Sequence, residues 1–130
     1  MGTLDVALTE AQKRKLKRWL VLRQQSGFQG RPNKPVDTCY SFWVSATLQL
    51  LDGRQFIDRA SNRRFVLETQ CRHVGGLAKW IDHDSDPLHS YLGLAGLSVC
   101  QEPGLEEVHP ALNLSMRAYR HWQQLPVANQ

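Results

Sequence analysis

Cysteine is scarce in this 130-residue chain, and the three present, Cys39, Cys71 and Cys100, are odd in number and widely spaced. That pattern excludes a disulfide framework and points to a reducing compartment. No apolar run approaches the ~20 residues that cross a bilayer, and the first residues hold no apolar core of the signal-peptide kind. The expected location is therefore cytoplasmic, with no membrane span. Excess charge is also small. The formal net charge is +4 and the pI about 9.2, enough to favour an anionic ligand and too little to argue for nucleic acid. Neither an aromatic-plus-basic RNA motif nor zinc-finger spacing occurs. No period-two alternation long enough to predict a strand is found, and nothing reads as an inter-domain linker.

What is there reads as helices. Apolar residues make up 42% of the chain, a composition that builds a folded core rather than a disordered tail. Thr9-Glu10-Ala11-Gln12 forms a capping box that opens a helix running to about Gln25. Leu16, Trp19, Leu20 and Arg23 share one stripe of it. The basic run from Lys13 to Arg18 reads as its solvated face. A Gly/Pro loop from Ser26 to Pro35 leads into a second helix, from about Asp37 to Leu51, with Cys39, Trp43, Ala46 and Leu50 on one side. Asp52-Gly53 ends it. A third helix spans about Asp58 to Gln70, anchored by Phe65, and a second loop covers Val74 to Ser85. Asp86-Pro87, an N-cap acid followed by proline, opens a fourth helix that ends near Val99. Gly93 and Gly96 in it permit close packing. Pro103-Gly104 breaks the chain before a last helix from Ser115 to Gln124.

The two loop-to-helix segments resemble each other. Leu22-Arg23-Gln24-Gln25 is followed by Gly27, Gly30, Arg31, Asp37 and Cys39. Leu67-Glu68-Thr69-Gln70 is followed by Gly75, Gly76, Asp86 and His89. The glutamines lie 45 positions apart, and Cys39 and His89 lie 50 apart. A period in that range predicts a helical repeat array, with Cys39 and His89 at equivalent places near the starts of neighbouring helices. Asp37, Cys39 and His89 then offer a carboxylate, a thiolate and an imidazole. Three such donors hold zinc and leave a fourth position open for chemistry. Each also has an ordinary structural role open to it: a helix cap, a small buried residue, a first-turn polar group. Arg31, Lys34 and Tyr40 flank a helix start, where free N–H groups already favour an anion. Arg31 brings a bidentate fork, Lys34 a mobile point charge and Tyr40 a hydroxyl. Lys79 follows the glycine pair of the second loop. His73, His83, His109 and His121 show no ligand spacing.

The stretch from Gly30 to Trp43, together with Gly75-Gly76-Leu77-Ala78-Lys79-Trp80 and Leu88-His89-Ser90-Tyr91, closely resembles the zinc-binding repeats of the protein prenyltransferase β subunits. Val108-His109-Pro110-Ala111-Leu112-Asn113 resembles the tail of their type I geranylgeranyl branch. The resemblance runs from about Leu16 to Asn113 and corresponds to the C-terminal portion of those longer subunits. It implies an all-α fold, an α-α toroid of which residues 1–130 form a single partial arc, with repeats at about 16–51 and 60–99. It further implies transfer of a geranylgeranyl group from its diphosphate to the cysteine of a C-terminal CaaX motif. By the same resemblance Asp37, Cys39 and His89 hold one zinc per β subunit. Arg31, Lys34, Tyr40 and Lys79 meet the diphosphate, and Trp43 lines the isoprenoid pocket. The ammonium of Lys79 stands where the farnesyl branch uses an aspartate that helps hold magnesium, which implies that magnesium is not required. The implied partners are a prenyltransferase α subunit, geranylgeranyl diphosphate and CaaX proteins such as small GTPases. The chain alone is expected to be inactive. A different class of function, a non-catalytic zinc-binding helical repeat that engages a partner subunit, stands as the alternative.

Overall fold

The structure, a computed structural model, describes residues 4–126. A short helix α1 (Leu4–Ala7) precedes α2 (Glu10–Val21). Then come α3 (Tyr40–Leu50), a 3-10 turn (Arg54–Phe56), α4 (Arg59–Glu68) and α5 (Pro87–Val99). A two-stranded antiparallel ladder pairs β1 (Val108–His109) with β2 (Leu114–Ser115) ahead of α6 (Met116–Gln124). The fold is therefore all-α but for this ladder, which the sequence did not announce because two-residue strands carry no readable alternation.

Local chemistry sets the helix starts. Thr9 closes the expected capping box with Gln12 at the head of α2. Asp58 and Asp86 cap α4 and α5 by accepting the N–H groups of Ser61 and His89. Two boundaries differ from expectation. α2 stops at Val21, because Gln24 leaves the helix to bridge Phe28 and to bond the Asp58 backbone. α3 begins at Tyr40, because residues 37–39 form a turn in which the Tyr40 N–H donates to the Asp37 carbonyl.

α3 and α5 are copies of one unit at a shift of 49 residues. The bridge Gln29–Val36 recurs as Ala78–Ser85. Left-handed Asn33 and Asp52 recur as Asp82 and Gln101. The bond from Gly53 N–H to the Leu48 carbonyl recurs from Glu102 to Leu97. This register corrects one expectation: Asp37 matches Asp86, and Tyr40, not Cys39, matches His89. The two helices run the same way, side by side, with α2 packed on α3 and α4 on α5. Phe42, Ala46, Leu92, Ala95 and Val99 fill the seam between α3 and α5. Leu20, Phe28, Val44, Leu48 and Ile57 fill the space under α2, and Phe65, Val66, Leu77 and Leu97 join α4 to α5. Each buried Val, Leu, Ile or Phe among them contributes about 1.5–3 kcal/mol.

A buried polar chain crosses this core. Ser41 Oγ donates to Asn62 Oδ1 at 2.9 Å, Asn62 Nδ2 lies 3.7 Å from Cys100 Sγ, and Cys100 Sγ lies 3.6 Å from Ser45 Oγ. Because each polar atom has a partner, the chain orders α3, α4 and α5 without the penalty of an unmade hydrogen bond. The stripe of α3 that carries Trp43, Ala46 and Leu50 divides between core and surface. Ala46 is buried, but Trp43 is 50% and Leu50 41% exposed. Tyr91 and Leu94 of α5 are likewise about half exposed, so both helices present an apolar face that the described residues leave partly open.

Candidate functional site

The two copied loops converge at the N-terminal ends of α3 and α5. Asp37, Cys39 and His89 come together there, with donor atoms all within 4.8 Å of one another. No other cluster of three or more such donors occurs among the described residues. Asp37 and His89 are buried and Cys39 is half-buried. Asp37 Oδ1 accepts from the Cys39 N–H at 2.9 Å and lies 3.3 Å from His89 Nε2. The other ring nitrogen, Nδ1, sits 2.6 Å from Asp86 Oδ2, while Asp86 Oδ1 accepts the His89 N–H. Asp86 therefore orients the imidazole from behind and leaves Nε2 facing Asp37 and Cys39. Sequence reasoning read Asp86 as a cap alone. Its spacing of three from His89, one helical turn, was the available signal.

The electrostatics are unusual for a thiol at a helix start. Burial, with Asp37 as the second cause, pushes the Cys39 thiol up to about 12. Lys79 Nζ lies 3.7 Å from Asp37 Oδ2 and over the Trp80 ring at 4.5 Å. Backbone N–H groups, chiefly that of His89, hold the Asp86 carboxyl below its ordinary value. A thiol, a carboxylate and an imidazole packed this closely make a donor set suited to zinc. Donors about 2.0–2.3 Å from a tetrahedral zinc stand roughly 3.3–3.7 Å apart, so Asp37 and His89 are already at ligand spacing. The carboxylate behind His89 is the arrangement that fixes a ligating imidazole. The residues present fit the metal.

The expected anion-binding residues are less closely gathered. Arg31 and Lys34 are exposed on the turn of the first loop and make no hydrogen bond or ion pair with the trio through their side chains. Gln29 Nε2 bonds the Lys34 carbonyl at 2.7 Å and holds that turn. Tyr40 lays its ring over Gly30, where an added Cβ would collide with Cζ and Oη. Trp43 follows one turn along α3, edge-on to Phe42. Among the described Lys and Arg residues, Lys79 alone reaches the trio. The loop that carries it is gripped by buried Thr38, a contact the sequence did not disclose. All three cysteines are free thiols. No described helix is long and apolar enough to cross a membrane.

Comparison with known proteins gives the family. Residues 1–114 match the prenyltransferase alpha-alpha toroid domain. The chain is 46% identical over 118 residues to the geranylgeranyl transferase type-1 subunit beta of Dictyostelium discoideum, covering 91% of this chain and 33% of that protein. It is 41% identical over 102 residues to the type-1 subunit beta of Arabidopsis thaliana, covering 77% and 27%. The solved Candida albicans protein geranylgeranyltransferase-I complexed with GGPP superposes with a TM-score of 0.78 at 30% identity, over 83% of this chain and 36% of that one. The chain thus spans about a third of the length of the relatives it matches. It belongs to the prenyltransferase alpha-alpha toroid family.

Proposed function

We propose that this chain is a segment of the catalytic β subunit of a type I protein geranylgeranyltransferase, with residues 1–130 forming one partial toroid domain. The observation that carries the reading is the Asp37–Cys39–His89 group with Lys79 beside it. In this reading those three residues hold one zinc per β subunit. Bound there, zinc lowers the pKa of a substrate thiol and places its sulfur for attack. The remaining chemistry falls to the chain's own side chains. Asp86 keeps the His89 ring turned so that Nε2 faces the metal position. Arg31, Lys34 and the Tyr40 hydroxyl meet the diphosphate and stabilise the negative charge that grows as it departs. Lys79 supplies a fixed cation at the same place, so magnesium is not required. Trp43, half exposed on the same side of α3, offers the aromatic wall of an isoprenoid pocket. The partners are a prenyltransferase α subunit, geranylgeranyl diphosphate and CaaX proteins such as small GTPases. The setting is cytoplasmic, where free thiols stay reduced.

A second reading, a zinc-binding helical repeat that engages a partner without catalysis, draws support from the exposed apolar faces of α3 and α5, including Tyr91 and Leu94. One experiment separates the two. A full-length β subunit carrying this segment is purified with a prenyltransferase α subunit, its zinc measured, and transfer of labelled geranylgeranyl to a CaaX peptide ending in leucine assayed. The catalytic reading expects one zinc and turnover, both lost in Cys39→Ala, and turnover that survives chelation of magnesium. Zinc without turnover favours the second reading. Normal zinc in Cys39→Ala sinks the ligand assignment common to both.

A further inference from the structure

We propose that Thr38 is a positioning residue that fixes Lys79 against the metal-ligand loop, so that the ammonium's grip on an anion depends on the Thr38 hydroxyl. Thr38 lies between Asp37 and Cys39 and is fully buried. Its N–H donates to the Lys79 carbonyl at 3.1 Å. Its Oγ1 donates to the Ala78 carbonyl at 2.7 Å and lies 3.2 Å from that of Lys79. A hydroxyl has one proton to give, and the short bond to Ala78 takes it. Thr69 joins the same knot: its carbonyl accepts the Ala78 N–H at 3.0 Å, and its Oγ1 donates to Val66 and sits 3.3 Å from Thr38 Oγ1. The methyl of Thr38 is fixed as well. It faces Gly93, where an added Cβ would lie 2.8 Å from it.

The consequence is a rigid link between the two repeat units at the site. The backbone of residue 38 carries a candidate ligand on each side, and through three contacts it holds the backbone of residues 78 and 79. The anchored backbone fixes the point from which the Lys79 stem reaches, and from there the ammonium stands 3.7 Å from Asp37 Oδ2 and over the Trp80 ring. An ammonium is a point charge with no directional fork, and its hold on an anion depends on its position. Small misplacements of such groups have large effects on bound geometry. Thr38 therefore acts through Lys79 and touches neither the metal position nor the anion. This inference rests on the reading of Lys79 as a diphosphate-binding cation.

The test is a cycle of four proteins: the wild-type chain, Thr38→Val, Lys79→Met and the double variant. Valine keeps the methyl against Gly93 and puts a second methyl in place of the hydroxyl, so the Ala78 carbonyl loses its donor. The affinity of the zinc-loaded chain for inorganic pyrophosphate is measured by calorimetry. Loss of one hydrogen bond's worth of positioning predicts about three- to tenfold weaker binding in Thr38→Val. The same substitution should change nothing once Lys79 is methionine, and Thr38→Ser should recover most of the affinity. Equal weakening in both backgrounds would show a merely structural role and overturn the proposal. So would unchanged affinity in Thr38→Val where Lys79→Met does weaken binding. No effect of Lys79→Met removes the reading beneath it, and the proposal with it. A readout that needs no variant is amide exchange. The Thr38 N–H should be protected in the wild-type chain, and exchange at the rate of the exposed 31–34 turn would refute the anchor.

Discussion

Replacing Gly96 with alanine should loosen the seam on which the whole site is mounted. Gly96 has no left-handed backbone to justify it. It is there for distance. A Cβ at that position would stand 2.5 Å from the Ser41 carbonyl carbon and 2.7 Å from the Phe42 nitrogen. Carbon pairs pack at about 3.5–4.0 Å, so the helices must part by roughly 1 Å, and the opposing atoms are backbone that cannot rotate away. Overpacking of this kind costs about 1–3 kcal/mol. Alanine returns about 0.8–1 kcal/mol through its better helix propensity. Because the clash is with backbone, the upper part of the overpacking range applies, and the net loss is about 1–2 kcal/mol. Gly93→Ala is the internal control. Its Cβ would meet side-chain atoms, Leu77 Cδ1 at 2.5 Å and Thr38 Cγ2 at 2.8 Å; the Leu77 rotamer can yield and only the Thr38 methyl is held, so its penalty should be smaller than a clash with backbone on both sides but not zero. The assay is urea denaturation, read as a shift in midpoint at constant slope. A second readout is metal affinity, which should fall in Gly96→Ala because parting α5 from α3 carries His89 away from Asp37. A Gly96→Ala protein as stable as the wild type would refute the backbone contact on which this reasoning stands.

Two further outcomes are expected. Asp86→Ala should lose about 1 kcal/mol with the α5 cap and about 10–100-fold in zinc affinity with the support behind His89, measured by chelator competition. The carboxyl titrates below its ordinary 3.8 in the folded chain, so its contribution is whole above that pH and lost as pH falls further; in an acid titration followed by circular dichroism, the wild type and Asp86→Ala should converge only below about pH 4. Maleimide at neutral pH should label Cys71 first, because the backbone N–H groups of Val74 and His73 stabilise its thiolate, while burial raises the pKa of Cys100 and pushes Cys39 up to about 12. Mass spectrometry showing Cys39 labelled first in metal-free protein would contradict that order.

Much of this site was legible because its signals are local. Thr9 and Gln12, Asp58, and Asp86 with Pro87 announce three helix starts through hydrogen bonds that span three residues. Asp37, Cys39 and His89 were legible as a group because repeated segments point to neighbouring places. What the sequence hid is set by contacts between segments. Gln24 looks helical and instead joins Phe28 and Asp58. Trp43 and Leu50 share a helical stripe with Ala46, but periodicity cannot say whether a stripe faces this chain's core or a surface left open, and here it divides. The grip of Thr38 on residues 78 and 79 spans 40 positions and has no spacing rule. The repeat was visible, but its register was not: glutamines 45 apart and ligands 50 apart bracket the true shift of 49.

That one-residue correction bears on how the site is built. Asp37 and Asp86 are equivalent positions with different partners. Asp86 caps α5 in the ordinary way, and its second oxygen meets His89 Nδ1. Asp37 bonds the Cys39 N–H, and its carboxylate faces His89 Nε2 and Lys79. The same helix-start acid thus serves as candidate ligand in one unit and as support for a ligand in the next. Such a division needs the two units side by side in one fixed register, because the imidazole that one aspartate supports must face the other. The seam at Gly93 and Gly96 sets that register by bringing α5 against Thr38, Ser41 and Phe42. The entropy of gathering donors 50 residues apart is then met by folding, before any metal or substrate arrives.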